Sequence, residues 1–168
     1  WIKTSLPPKP LTIPQLLSII GFQLNSDLEQ FSETPKVLVA GCGTGQHSLS
    51  TATRFKDSHV TAVDLSLSSL CYAIRKTREY DVTNIDYIQA DILDLELLDK
   101  QFDIVESVGV LHHMKDPLLG WSILESCLKP GGLMRIGLYG EMSRKHVVKA
   151  RDIISDLKIG TSHKEMIE

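Results

Sequence analysis

Little in this sequence departs from an ordinary globular protein, and each shortage excludes something. There are only three cysteines, Cys42, Cys71 and Cys127, scattered and without C-x-x-C spacing. Neither a disulfide framework nor a zinc site is expected, and a reducing cytoplasm fits. With 18 basic and 21 acidic side chains the formal charge is −3. That balance lacks the basic excess of a nucleic-acid binder, so nucleic acid is not expected as a partner. No apolar run approaches the roughly 18 residues of a membrane span and no signal-peptide pattern is visible, so no membrane association is expected. An initial Met is missing as well, with Trp1 in its place, which reads as a fragment of a longer protein.

What is present is a chain of 168 residues with 42% hydrophobic content, enough for one domain with a proper core. Its organising stretch runs from Val37 to Ser48: Val-Leu-Val-Ala-Gly-Cys-Gly-Thr-Gly-Gln-His-Ser. Four small apolar residues suit a buried parallel strand, and Gly41, Gly43 and Gly45 break it before a helix begins. Strand, glycine turn and helix form the start of a nucleotide-binding α/β unit, in which glycine permits φ > 0 and removes the Cβ that would hold a ligand off the backbone. The next apolar run, His59 to Val63, ends at Asp64. A carboxylate there lies at the strand's C-terminal edge, about 20 residues past the glycines, the offset at which it can accept from ribose hydroxyls. The plainer alternative makes Asp64 a turn or capping residue.

Glycine spacing divides the ligand classes. A dinucleotide fingerprint, G-x-G-x-x-G, needs its third glycine at position 46, which is Gln46. The pattern here is G-x-G-x-G, and with it the chain resembles the class I S-adenosylmethionine-dependent methyltransferases. Ala40 stands where many members carry Asp or Glu. Three further segments match in order: Gln89-Ala90-Asp91-Ile92, then Phe102-Asp103-Ile104-Val105 followed by Val110-Leu111-His112-His113-Met114 and Asp116-Pro117, then Leu128-Lys129-Pro130-Gly131-Gly132 before a strand.

The resemblance covers roughly residues 36 to 139. It implies an α/β, Rossmann-like doubly wound fold with a mainly parallel sheet, strand order 3-2-1-4-5 and helices on both faces. It also implies S-adenosylmethionine as methyl donor, S-adenosylhomocysteine as product, and an acceptor that the sequence leaves unidentified. In its terms Gly41, Gly43 and Gly45 run beside the methionine part, Asp64 meets the ribose, and Leu65 is a further cofactor-binding position. Asp91 and Ile92 meet the adenine, and Ser107 and Val108 flank the sulfonium at the end of the fourth strand. His112 and His113 are candidate bases, with Glu106 and Tyr139 as nearby titratable alternatives. Adjacent histidines are expected to diverge, so no metal site is expected. Two other readings stay open: an NAD(P)-binding oxidoreductase on the same sheet, and a non-catalytic S-adenosylmethionine-binding module.

In domain terms, residues 1–35 read as a linker and an N-terminal helix, and 36–168 as the cofactor-binding domain. Pro7, Pro8 and Pro10 mark an extended leader, and Ile13 to Leu24 a helix with Pro14 in its first turn. Past the glycines, Leu49, Ala52 and Phe55 share a helical face; Ser66 caps a helix whose inner face is Leu67, Leu70 and Ile74. Ile85 to Ile88 reads as the third strand, and Asp94, Glu96 and Asp99 as a solvated acidic loop. Asp116-Pro117 starts a helix with a stripe of Leu118, Trp121, Leu124 and Leu128, and Lys129 to Gly132 ends it ahead of a fifth strand, Leu133 to Tyr139. A last helix from Ser143 carries Val147, Ala150, Ile154 and Leu157 on one face. The antiparallel strand pair that ends complete family members is not found, so strand five is expected to offer an edge for self-association.

Overall fold

Five segments, the first four rich in β-branched residues, form one parallel sheet in the order β3-β2-β1-β4-β5. They are β1 (Lys36–Ala40), β2 (His59–Asp64), β3 (Ile85–Gln89), β4 (Phe102–Val108) and β5 (Leu128–Gly137). The structure is a computed structural model that describes residues 9–21, 31–98, 101–140 and 145–156. Every pairing is parallel, and β1 sits at the centre with Ala40 opposite Val63 and Val39 opposite Glu106. A strand buried on both sides needs apolar residues at odd and even positions alike, which is why β1 shows no alternation. Val37 and Val39 enter one core layer with Val60 and Ile104, while Leu38 and Ala40 enter the other with Val63 and Val105.

Helices cover both layers. On one side, α1 (Ile13–Ile19) inserts Ile13 and Leu17 beside Phe55, which follows α2 (Gln46–Arg54). Thr12 and Gln15 close a capping box at its start, and Leu11 ties to the end of α2 by donating to the Arg54 carbonyl at 2.8 Å. The expected helix ran on to Leu24; residues 22–30, and residues 1–8 of the leader, lie outside the described residues. Asp116 starts α4 (Pro117–Ser126) by accepting from the Leu118 and Leu119 amides, both at 3.1 Å.

Two helix faces differ from expectation, for one reason. In α3 (Leu67–Glu79) the buried positions are Leu70, Ala73 and Thr77, and Leu67 is exposed. In α4 they are Gly120, Ile123 and Leu124, whereas Leu118 and Trp121 face outward. Small residues set both phases. A Cβ on Gly120 would stand 2.5 Å from Met114 Sδ, and one on Gly45 would stand 2.5 Å from Ala73 Cβ. Close backbone approach, which apolar periodicity does not register, decides which face turns inward.

The fifth strand also differs. It starts at Leu128 rather than Leu133 and ends at Gly137 rather than Tyr139, so Lys129 to Gly132 lies inside it and does not terminate α4, which stops at Ser126. Phe102 pairs with Leu128 but Ile104 pairs with Leu133, so the Pro-Gly-Gly turn is absorbed as a bulge. Asp103, buried beside it, accepts from Lys129 Nζ at 2.7 Å and from the Lys36 amide at 2.8 Å. The acidic stretch after β3 is a 3-10 segment, Ile92–Leu98, with Ile92 and Leu95 buried and Asp94 and Glu96 exposed; Asp99 lies outside the described residues.

The chain divides into two compact units, Trp1–Gly137 and Leu138–Glu168. The second contains α5 (Lys145–Asp156), where Val147 and Ile154 are exposed and no residue is buried; Leu157 lies outside the described residues. Among the described residues no strand follows β5, and no helix is long and apolar enough to cross a membrane.

Candidate functional site

The glycine turn hangs from the neighbouring strand. After β1, the amides of Gly41 and Cys42 both donate to the Val63 carbonyl, at 2.8 and 2.9 Å, which draws the loop over the end of β2. Gly41, Gly43 and Gly45 have φ of 78°, 53° and 87°, all left-handed. Two of the three serve the protein's own packing: a Cβ at Gly41 would run into Val110, and one at Gly45 into Ala73. Gly43 alone is open, with nothing within 4 Å of where its Cβ would be.

Asp64 fastens this arrangement. Its Oδ2 accepts from the Gly43 amide at 2.7 Å and its Oδ1 from the Ser66 amide at 2.9 Å. The turn-residue reading is therefore correct as far as it goes. Each carboxylate oxygen keeps a second lone pair, however, and the side chain borders a cavity of about 360 Å³ at the strand ends. Gly41, Leu65, Asp91 and Ile92 border it too, so five of the nine expected binding positions converge there. Asp91 accepts from the Leu93 amide at 3.0 Å, and Ile92 is buried. Across the opening stand His113, Met114 and Lys115.

The other four positions do not border the cavity. Gly43 touches it through Asp64, and Gly45 is turned toward α3. Ser107 is buried, and its Oγ has no hydrogen-bond partner among the described residues. Val108 is partly exposed and packs where a Cβ on Gly137 would otherwise stand.

His112 and His113 do not diverge. A 3-10 turn, Leu111–His113, brings Nε2 of one to 3.0 Å from Nε2 of the other, with ring centroids 4.1 Å apart. At that distance the N–H of one ring donates to the lone pair of the other, the roles being set by the tautomers. Among the described residues no group of three or more His, Cys, Asp and Glu side chains could hold a metal. Tyr139 belongs to the second unit.

Glu106 has a different role from the base considered for it. It borders a second cavity rather than the first, and four side chains meet its buried carboxylate. Thr51 donates to Oε2 at 2.5 Å, and His47 Nε2 stands 3.0 Å from the same oxygen as a charge contact. Arg54 and Arg135 reach Oε1 at 3.2 and 3.4 Å. Burial alone would raise its pKa; the His47 and Thr51 contacts, with the nearby charge of His47 and Arg54, outweigh it and hold the group at about 2. A carboxylate that acidic is a poor proton acceptor at neutral pH. No sequence motif announced it, although a Glu inside an apolar strand is itself a signal.

The loop thiol is the reverse case. Burial, then the Asp64 charge, pushes Cys42 up to about 12, and burial also raises Cys127. Cys71 is exposed. Iodoacetamide at pH 8 should alkylate Cys71 alone in the folded chain, as read by peptide mass mapping; equal labelling of Cys42 would contradict its buried, protonated state.

Residues 37–132 match a family described as "Methyltransferase domain". An uncharacterized protein of Synechococcus sp. is 34% identical over 125 residues, 74% of this chain and 30% of that protein. The (S)-coclaurine N-methyltransferase of Papaver somniferum is 31% identical over 116 residues, covering 69% of this chain and 33% of the relative. A crystal structure of coclaurine N-methyltransferase bound to N-methylheliamine and SAH superposes with a TM-score of 0.57 at 25% identity, over 68% of this chain and 38% of that one. The chain thus spans about a third of the length of the curated relatives it matches.

Proposed function

This chain belongs to the class I S-adenosylmethionine-dependent methyltransferases, and from that membership we propose that its strand-edge cavity binds S-adenosylmethionine and serves methyl transfer to an acceptor. The observation that carries the reading is the Gly43–Asp64 pair: an open Cα beside a carboxylate that is fixed by two amides and still has lone pairs to offer. Asp64 accepts from the ribose hydroxyls, with Leu65 alongside. Asp91 accepts from the exocyclic amine of adenine, and Ile92 meets the ring. Gly43 admits the methionine portion, and the buried Ser107 Oγ and Val108 stand at the end of β4 on the same strand edge.

The donor supplies an activated methyl on a sulfonium with a good thioether leaving group. What the protein must add is mostly alignment and exclusion of water. When one histidine of the pair donates its Nε2 proton to the other, the lone pair left to receive a proton from an acceptor is on Nδ1 of the donating ring. Three free cysteines suit a cytoplasmic location, which imaging of the tagged protein checks.

Calorimetric titration with S-adenosylhomocysteine and, separately, with NAD tests the reading. One saturable site for the first and none for the second is expected. Preference for NAD would support the oxidoreductase, and S-adenosylhomocysteine binding with no methyl transfer would leave a binding module.

A further inference from the structure

The cavity bordered by Glu106 shares no residue with the one assigned above and, at about 390 Å³, is of similar size. Its walls are apolar: Leu16 and Leu17 of α1, Phe55 after α2, and Leu133 of β5. Into this apolar space project Arg54 and Arg135, both converging on the one Glu106 oxygen. Two guanidinium groups, with His47 beside the other oxygen, face one carboxylate, so positive charge is in surplus. Neither fork is filled: of its five N–H donors, Arg54 directs one to Glu106 and one to Ser50, and Arg135 one to Glu106, among the described residues. An apolar pocket with surplus positive charge and several open donors is complementary to a ligand with an anionic head and a hydrocarbon body.

We propose that this second cavity is a binding site for an amphipathic monocarboxylate, with its head on Arg54 and Arg135 and its body against α1 and Phe55. The site is independent of the methyl-transfer reading, because the cofactor cavity borders none of these residues. A neutral chain would leave the forks without an acceptor, and a small inorganic anion would leave the apolar wall uncovered.

The test titrates octanoate, octanol and inorganic phosphate into the whole chain by calorimetry, with and without saturating S-adenosylhomocysteine. Octanoate should saturate one site, octanol and phosphate should bind at least about tenfold more weakly, and S-adenosylhomocysteine should not displace octanoate. Arg135→Gln, at a side chain 55% exposed, should weaken octanoate about tenfold while leaving the melting temperature and S-adenosylhomocysteine affinity in place. Arg54→Gln should weaken octanoate likewise while lowering the melting temperature, because the buried Glu106 loses a counter-charge; if it fails to fold, Arg135→Gln decides. Octanol binding as tightly as octanoate, phosphate doing so, unchanged octanoate affinity in Arg135→Gln, or displacement by S-adenosylhomocysteine would each overturn the assignment.

Discussion

Glu106→Gln should lower the unfolding free energy at pH 7 by roughly 3 kcal/mol, the equivalent of moving a buried carboxyl from 4.5 to about 2. The substitution keeps the shape and one acceptor oxygen, but Arg54 and Arg135 lose their counter-charge and Thr51 loses a charged acceptor. Removing one partner of a buried pair is costly because the other is left uncompensated. The pH dependence has a definite sign. Since the folded pKa lies below the unfolded one, the contribution is complete above about 4.5 and is lost as the pH falls through about 2. Urea unfolding at pH 7 should therefore separate the two proteins, and the gap should shrink steadily toward pH 2. Coincident midpoints at pH 7 would show that the four contacts add nothing to stability.

Asp64→Ala should weaken S-adenosylhomocysteine by about 1–3 kcal/mol, roughly five- to 150-fold, as expected for lost hydrogen bonds to a charged acceptor. The same side chain holds the Gly43 and Ser66 amides, so part of the loss reflects a loosened glycine turn. Asp64→Asn separates the two effects, because it retains one oxygen for the backbone and gives up the charge. Its affinity should fall between the wild type and the alanine variant, with a melting temperature close to the wild type. Unchanged affinity in both variants would refute the ribose role of Asp64.

The parts of this molecule that were legible in advance share a local cause. Strand β1, the left-handed glycines and the start of α2 are neighbours in sequence, and each constrains the next. The same holds for Asp116 and Pro117 at the start of α4. Asp64 was legible because a parallel strand delivers its last residue to the binding edge wherever the strand lies in the sheet.

What stayed hidden depends on residues far apart. Glu106 meets side chains from α2 and β5, and nothing within β4 announces those partners. The inward faces of α3 and α4 are set by contacts of Ala73 with Gly45 and of Gly120 with Met114, where the informative feature is an absent Cβ. The histidine pair was misread because divergence of neighbouring side chains assumes extended backbone. A 3-10 turn folds them together instead. Lys129 to Gly132 carries the residues of a turn, and the strand accommodates that turn as a bulge.

The most direct measurement is a crystal structure of the chain soaked with S-adenosylhomocysteine. The adenosyl group should lie in the cavity between Asp64 and Asp91, its ribose hydroxyls on the Asp64 carboxylate and its methionine portion passing Gly43. Density in the Arg54–Arg135 cavity instead, or none at saturating ligand, would contradict the account.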